Sequence, residues 1–262
     1  TTVTDAGAKH LADFENLTHL DLADTSIGDQ GLEQIGSLRK IQVIRLENSK
    51  VTDASLVLLS KLPDLFSLSL DGCRVIDEGL RTLSAIEGLT TLSLRRTQVT
   101  DAGLKHLSRL KYLSQLYLDE TAVSDAGMAD LIAITSLSEL GLSSTRAGDP
   151  SLALIADLPA LRRLELTNCP ITDAGAEALA SASAIRLIRL DGTQITDRAL
   201  QHLARMPALQ NINLENTRIS DAGLRLLSSM KRLGSIALRG TDVTDAGCDA
   251  LRAAHPNAFI HR

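Results

Sequence analysis

Carboxylates are the most regularly placed reactive side chains in this chain of 262 residues. An aspartate stands at every 24th position along the sequence. The members of this row are Asp5, Asp29, Asp53, Asp77, Asp101, Asp125, Asp149, Asp173, Asp197, Asp221 and Asp245. Such a row could bind metal ions or supply acids and bases. Each aspartate instead precedes a short segment such as Ala-Gly-Leu, where a carboxylate can accept a backbone N–H at the start of a helix. We therefore expect these aspartates to cap helices.

One group of side chains has the composition of a metal site. The group consists of His19, Asp21, Asp24, Glu47 and Asp71, which can lie together on adjacent strands. Carboxylate and imidazole groups bind divalent cations, although Arg45 falls in the same patch and opposes cation binding. A solvated charged surface is the alternative interpretation and the one we favour. We therefore expect no metal and no other cofactor.

The sequence contains no recognisable catalytic constellation. His10, His106 and His202 occupy one equivalent slot of the repeat, which indicates a solvated surface. Phosphate-binding loops and the G-x-S-x-G and H-E-x-x-H motifs are absent from the sequence. We therefore expect a protein that is not an enzyme.

The cysteines also follow the repeat. Cys73, Cys169 and Cys248 fall in repeat slots that predict buried thiols, and no C-x-x-C pair occurs. This pattern favours neither a disulfide framework nor a zinc cluster. A reduced, cytoplasmic setting is the compartment that it favours.

The apolar residues show which elements carry these side chains. Apolar residues follow each aspartate after three, six and nine positions, which is the spacing of one buried helical face. The spacing then shortens, as in Leu89, Leu92 and Leu94, and a spacing of two indicates a strand. Each unit thus predicts a short helix followed by a short strand. Such units cannot bury their apolar faces alone and must stack on one another.

The repeat resembles a known family. The segment from Leu89 to Val99, followed by Thr100 to Leu104, resembles the leucine-rich repeat, L-x-x-L-x-L-x-x-N/C-x-L, with threonine or cysteine at the asparagine position. It is similar to the repeats of cysteine-containing F-box proteins and to the T-D-x-G-L repeats of bacterial proteins. The resemblance covers essentially the whole chain. It implies an α/β leucine-rich repeat solenoid, or horseshoe, with a concave parallel β-sheet and an outer layer of short helices.

The predicted organisation is a single domain. Residues 1–262 form about eleven repeats of 24 residues, and residues from about 252 to 262 form a C-terminal cap. Parallel strands stack about 4.8 Å apart whereas packed helices need about 8 to 10 Å, so the strand side should be concave. The chain begins at Thr1 without an initiator methionine, and we therefore expect a fragment or a processed product.

Composition argues against two classes of partner. No apolar run approaches the roughly 20 residues that span a bilayer. The formal net charge is −5 and no dominant basic stripe is present. We therefore expect neither a membrane nor a nucleic acid as the partner.

The exposed strand positions are where a partner should bind, because they vary while the rest of the repeat does not. Their charges are mixed, which suits a protein or peptide partner better than a polyanion. Tyrosine and arginine often anchor interfaces, and both occur near the middle of the chain. The predicted partner-binding residues are Tyr117, Asp119, Glu139, Arg162, Arg163, Glu165, Arg186 and Arg189. Solvated charges on a tolerant surface are the alternative.

The functional expectation is a monomeric protein-interaction module that binds a protein or peptide on the concave face without catalysis of its own. The resemblance to F-box proteins implies an alternative. In that alternative, the chain is the substrate-recognition part of a ubiquitin ligase or of a bacterial effector, and the catalytic or adaptor segment lies outside this sequence.

Overall fold

A computed structural model describes residues 3–262 and divides into two compact units, Thr1–Leu137 and Ser138–Arg262. Within each unit the repeat has the same plan. A short helix begins at the periodic aspartate, a loop follows, and a strand of three residues ends the repeat.

The first unit contains five parallel strands and six helices among its described residues. The strands are β1 His19–Asp21, β2 Val43–Arg45, β3 Ser67–Ser69, β4 Thr91–Ser93 and β5 Gln115–Tyr117. The helices are α1 Asp5–Ala8, α2 Asp29–Ile35, α3 Asp53–Leu59, α4 Asp77–Leu83, α5 Asp101–Leu104 and α6 Asp125–Leu131. Single 3₁₀ turns follow α1 and α5, at Leu11–Asp13 and Lys105–Arg109. Each strand residue pairs with its equivalent in the next repeat, as Leu68 does with Leu92 and Leu92 with Leu116.

The second unit repeats this arrangement. Its strands are β6 Glu139–Gly141, β7 Arg163–Glu165, β8 Leu187–Arg189, β9 Asn211–Asn213, β10 Ser235–Ala237 and β11 Phe259–His261. Its helices are α7 Asp149–Ile155, α8 Asp173–Ala178, α9 Asp197–Leu203, α10 Asp221–Leu227 and α11 Asp245–Ala254, with a 3₁₀ turn at Leu179–Ser181. The segment predicted as a C-terminal cap contains the end of α11 and all of β11. Strand β11 pairs in register with β10.

The core of each unit is built from the periodic leucines. Leu92, Leu94 and Leu116 have no exposed surface, and each such side chain stabilises the fold by about 1.5 to 3 kcal/mol. The threonine at the end of the strand segment bonds inside the same core, since Thr97 Oγ1 donates to the carbonyl of Leu94 over 2.6 Å. Cys73 takes this slot in its own repeat and donates from Sγ to the carbonyl of Leu46 over 3.1 Å. The predicted burial of the cysteines is confirmed.

The periodic aspartates cap helices, but the expected partner was wrong. The residue before the aspartate is the N-cap, as Thr100 is for α5, where its Oγ1 accepts from the N–H of Ala102. The carboxylate of Asp77 therefore reaches forward into the next repeat. Its Oδ1 accepts from the N–H of Thr100 over 2.8 Å and its Oδ2 accepts from the Thr100 hydroxyl over 2.7 Å. One carboxylate thus joins two successive repeats.

The same bridge recurs in both units. In each case the aspartate accepts from the backbone N–H and the hydroxyl of a threonine or serine in the following repeat. Further pairs are Asp29–Thr52, Asp101–Ser124, Asp149–Thr172, Asp173–Thr196, Asp197–Ser220 and Asp221–Thr244. Glycine near the start of the next helix leaves room for the carboxylate. A Cβ on Gly103 would lie 2.5 Å from Oδ1 of Asp77, which is closer than real atoms approach.

Three repeats have no hydroxyl at this position, where Gly28, Ile76 and Gly148 stand. Ile76 takes the position of the threonine, so Asp53 accepts from its N–H over 3.1 Å without a hydroxyl partner there. Burial raises the pKa of Asp53 despite backbone hydrogen bonds. Burial also tends to raise the pKa of Asp29, but hydrogen bonds from Thr52 and Ser55 outweigh it and lower the pKa. The hydroxyl of the following repeat therefore favours the charged carboxylate.

Replacing Ile76 by threonine should stabilise the protein. Ile76→Thr supplies both an N-cap for α4 and a hydroxyl for Asp53, and little burial is lost because the isoleucine is 46% exposed. We expect the free energy of unfolding to rise by about 1 kcal/mol, measured by urea denaturation. The control is Ile76→Val, which keeps the branched shape without the hydroxyl. An equal gain from both substitutions would contradict the role given to the hydroxyl.

The effects of two aspartate-to-asparagine substitutions on the free energy of unfolding should change with pH in opposite directions. Because the folded pKa of Asp29 is lowered, its bonds stabilise the protein above the ordinary carboxyl pKa and are lost as the pH falls through the lowered pKa. Asp29→Asn should therefore cost about 1 kcal/mol at pH 7, discounted for solvent exposure, and less as the pH falls through the lowered pKa of Asp29.

Asp53→Asn is the matched control for this measurement. The raised folded pKa of Asp53 means that stability falls as the pH rises from the ordinary carboxyl pKa to the raised one. Removing that charge should therefore become more favourable, relative to the unmodified protein, as the pH rises through this range. Urea denaturation from below the lowered pKa of Asp29 to above the raised pKa of Asp53 compares the two substitutions, and parallel pH trends would refute the assigned pKa directions.

Candidate binding surface on the strands

The surface with the most varied side chains in each unit is its strand face. We define the strand face of a unit as the outward-facing side chains of its strands, together with the residue before each strand and the two residues after it. The middle residue of each strand points into the core, as Leu116 and Leu164 do, so the first and third residues point away from it. The two units are described separately.

In the first unit, Tyr117 and Asp119 are held by an arginine that the predicted site did not include. The guanidinium carbon of Arg95 lies 4.4 Å from the centre of the Tyr117 ring. Nε of Arg95 donates to Oδ2 of Asp119 over 2.9 Å, and the Asp119 side chain is only 10% exposed. The tyrosine ring and the carboxylate are therefore fixed by one cation. The sequence signal for this contact is that Arg95 and Asp119 occupy the same slot in successive repeats.

A buried carboxylate, that of Asp71, forms hydrogen bonds with the strand segment that carries Arg95. Asp71 accepts from Oγ of Ser93 over 2.5 Å and from the N–H of Arg95 over 3.0 Å. Burial raises the pKa of Asp71, although these hydrogen bonds oppose the rise. Asp71 thus positions the backbone of Arg95, and Arg95 in turn positions Asp119.

Part of the acidic group considered as a metal site is ion-paired with Arg45. Arg45 lies 3.3 Å from the carboxylate of Asp21 and 3.0 Å from that of Glu47. Asp24 accepts from the side-chain amide of Asn48 over 2.8 Å. Within residues 3–262 no group of three or more histidine, cysteine or acidic side chains is arranged to hold a metal ion. A charged surface with internal ion pairs describes this group.

In the second unit, four predicted residues meet on three adjacent strands, β6 to β8. Arg163 is the register partner of Glu139, and Glu165 is the register partner of Arg189. Nη2 of Arg163 lies 2.5 Å from Oε1 of Glu165, whose side chain is 10% exposed. This ion pair holds Arg163 along its own strand.

The remaining predicted arginines lie close by in the same unit. Arg162 and Arg186 stand just before β7 and β8, and the N–H of Arg186 donates to the carbonyl of Arg162 over 2.8 Å. Both side chains are exposed, as is that of Arg189. Six of the eight predicted site residues therefore belong to the second unit and two to the first. Their use by one partner stays a prediction.

A depression on the strand face of the second unit was not included in the predicted site. It has a volume of about 170 Å³ and is lined by residues of β8 to β11, including Arg189, Asn211, Asn213 and Ala237. The depression forms because the outward side chains of β10, Ser235 and Ala237, are small. Two small residues at exposed strand positions, next to longer side chains, were the available sequence signal.

In-register parallel strands, each preceded by a short helix, define a leucine-rich repeat solenoid. The family model described as a leucine-rich repeat region matches residues 2–240. The chain therefore belongs to the leucine-rich repeat family, as its motifs predicted. Domains of this family are typically interaction modules without catalysis, and they generally bind other proteins. No curated protein matches the chain in sequence.

Solved structures share this fold at low sequence identity. An internalin from Listeria monocytogenes is 19% identical with a TM-score of 0.60, over 97% of this chain and 82% of that one. The ectodomain of the plant receptor kinase GASSHO1/SCHENGEN3 from Arabidopsis thaliana is 15% identical with a TM-score of 0.60, over 97% and 33%. A leucine-rich repeat protein of Leptospira interrogans is 17% identical with a TM-score of 0.54, over 97% and 80%.

The helices of the chain are short. Within the described part, none has the length and apolar character that crossing a bilayer requires.

Removing the Arg95 side chain should destabilise the first unit through Asp119. Arg95→Leu takes away the ion pair of a mostly buried carboxylate and the cation over Tyr117, and we expect the free energy of unfolding to fall by about 1 to 2 kcal/mol. Urea denaturation measures the change. The control is Arg74→Leu, an exposed arginine of the same unit, which should have little effect. Equal losses for both would contradict the cluster.

Proposed function

We propose that this chain is a protein-interaction module that binds a protein or peptide through its strand faces. The strand face of the second unit supplies Glu139, Arg162, Arg163, Glu165, Arg186 and Arg189, and the strand face of the first unit supplies Tyr117 and Asp119. The module acts as a monomer and performs no catalysis of its own.

The observation that carries this proposal is a varied set of side chains on a repeated backbone. Across the register of the second unit, Arg163 stands beside Leu187, Leu187 beside Asn211, and Asn211 beside Ser235. The buried middle residues of the same strands are uniformly leucine or isoleucine. A surface of this kind can match one partner by local complementarity, since each position changes without disturbing the fold.

Several of these side chains are already ordered. Glu165 holds Arg163 and Asp119 holds Arg95, so part of the conformational entropy of the two arginines is lost before a partner arrives. A partner that contacts them loses less entropy on binding. Arginine and tyrosine at such positions are the residue types that most often dominate binding energy.

The charges of the surface favour a folded protein or peptide over a polyanion. Glu139 and Glu165 lie among the arginines of the second unit, and Asp71 and Asp119 lie beside Arg95 in the first. A phosphate backbone binds best to a continuous basic surface. Alternating charges instead require a partner with matching alternation.

The buried thiols agree with a role without covalent chemistry. Cys73, Cys169 and Cys248 are all buried. Burial raises the pKa of Cys73 and of Cys248, which keeps both thiols protonated. A protonated, buried thiol is a poor nucleophile.

The plant receptor ectodomain with the same fold was solved in complex with CASPARIAN STRIP INTEGRITY FACTOR 2. That complex is an example of a leucine-rich repeat structure bound to a partner. The two sequences are only 15% identical. The complex therefore supports a binding role for the present chain at the level of the fold alone.

Reversing the charge of two arginines of the strand face should weaken capture of the partner. The immobilised chain and its Arg163→Glu/Arg189→Glu variant are incubated with a lysate of the source organism, and bound proteins are quantified by mass spectrometry. We expect the partner to bind the variant more than tenfold more weakly, because two positive contacts become repulsive. Arg163→Gln/Arg189→Gln tests the loss of charge without reversal.

The matched control changes two arginines elsewhere in the second unit. Arg205 and Arg232 are exposed and lie in the loops that follow α9 and α10. Arg205→Glu/Arg232→Glu makes the same change in net charge and should leave capture unchanged. Circular dichroism establishes that all variants are folded. Retention of every captured protein by the Arg163/Arg189 variants would refute binding through this strand face.

A further inference from the structure

The depression on the strand face of the second unit has an unusual set of polar groups. Its walls are Arg189 on β8, Asn211 and Asn213 on β9, and His261 on β11, while β10 supplies the small residues at its floor. All of these residues belong to one unit. The depression is about 170 Å³ in volume, which is the scale of one amino-acid side chain.

The amide of Asn213 has a fixed orientation. Its Oδ1 accepts from the backbone N–H of Glu215 over 3.0 Å, and a backbone N–H can only donate. The oxygen is therefore assigned to that side and the amino group to the other. Among residues 3–262, no hydrogen bond donated by this amino group is found.

Asn211 repeats the arrangement on the same strand. Its Oδ1 accepts from Oγ of Ser235 over 2.8 Å, and in this orientation its amino group is left as a donor. The two asparagines use their oxygens within the protein and keep their N–H groups for another molecule. An acceptor that approaches the depression therefore meets two amide donors.

Arg189 adds a positive charge to the same wall. Its side chain is exposed and forms no ion pair with any residue in the described part of the chain. Glu165, its register neighbour, is already paired with Arg163. The charge of Arg189 is thus available to a bound group, whereas that of Arg163 is largely satisfied.

Nearby acids limit where an anionic group can bind. Asp191 and Glu215 each lie two residues beyond β8 and β9, and neither lines the depression. Oδ1 of Asp191 accepts from Oγ1 of Thr167 over 3.0 Å. Because like charges repel, these carboxylates direct an acidic ligand toward the donors of Arg189 and the asparagines.

The apolar part of the lining favours a ligand with methylene groups. Leu187 and Ala237 contribute hydrocarbon surface to the depression beside the polar donors. An acidic side chain presents both features, since its methylene groups can contact these residues while its carboxylate reaches the donors. Two carboxylate oxygens can accept from Arg189 and from the two amides together.

We propose that this depression binds an aspartate or glutamate side chain from an extended segment of the partner protein. The inference rests on the proposed function and names the chemistry of its contact. Arg189 supplies the counter-charge, Asn211 and Asn213 supply neutral donors, and Leu187 and Ala237 contact the methylene groups.

The experiment uses capped heptapeptide pools as probes. Each pool is acetylated and amidated, has a central residue fixed as Glu, Asp, Gln or Lys, and has random residues elsewhere. Labelled pools are bound to the immobilised full chain, and retention is measured. We expect the Glu or Asp pool to be retained at least fivefold more than the Gln pool, with the Lys pool weakest.

Isosteric variants test whether the excess comes from the depression. Asn213→Asp keeps the acceptor for the N–H of Glu215 but replaces the free amide donor by a negative oxygen. It should abolish the excess, as should Arg189→Gln. The control is Asn216→Asp, an exposed residue on the loop beyond β9, which should preserve the excess. Side-chain amide signals of Asn211 and Asn213 in nitrogen-edited NMR spectra should shift when the acidic pool is added.

Three results would overturn the inference. Equal retention of the acidic and Gln pools is the first, and an excess that survives Asn213→Asp is the second. The third is stronger retention of a pool with a free C-terminal carboxylate and no acidic side chain, which would identify a chain terminus as the ligand. If a captured partner is lost with Arg163→Glu/Arg189→Glu but kept with Asn213→Asp, the inference fails while the proposed function stands.

Discussion

The bond from an aspartate to the start of the next helix is the interaction on which the rest of the structure depends. Each helix begins with N–H groups that have no acceptor within the helix. The preceding repeat supplies one, as Asp77 does for Thr100, and the Thr100 hydroxyl then accepts from Ala102. This chain of donors works only if successive repeats have equal length, because an inserted residue would move the threonine away from the carboxylate. The constant interval of 24 residues follows from that requirement.

The same bond determines where function can lie. A carboxylate that satisfies two donors in the next repeat is not available for catalysis or metal binding, and Gly103 must stay without a side chain to admit it. The inward leucines are equally committed to the core. Exposed strand positions remain, and the register places each one beside its equivalent 24 residues away. Differences between repeats at these positions therefore become differences between neighbours on one surface, which is how a repeated backbone acquires a specific binding surface.

The sequence predicted most of the fold and only part of the candidate site. Leu92 was placed correctly on a strand, and it pairs in register with Leu68 and Leu116 because a period of 24 with an internal spacing of two leaves one parallel register. The aspartates were assigned to the wrong helix, since periodicity gives the slot of a residue within its repeat and not the repeat that its side chain contacts. The pairing of Arg95 with Asp119 was missed for the same reason, because the two side chains belong to successive repeats. The orientation of the Asn213 amide depends on a single backbone N–H, which no side-chain pattern records.

Two arginines of the second unit show why residue type alone does not define a binding surface. Arg163 and Arg189 both point outward from adjacent strands, and a sequence treats them alike. Arg163 has Glu165 within 2.5 Å, so its charge orders the strand face and is partly neutralised. Arg189 stands opposite that same glutamate in the register, but the carboxylate is already engaged. Its charge therefore has no ion pair within the described residues, and the two asparagines of β9 lie in the depression that Arg189 lines. Specificity on this surface arises from which ion pairs are already formed within the protein and which donors are left for a ligand.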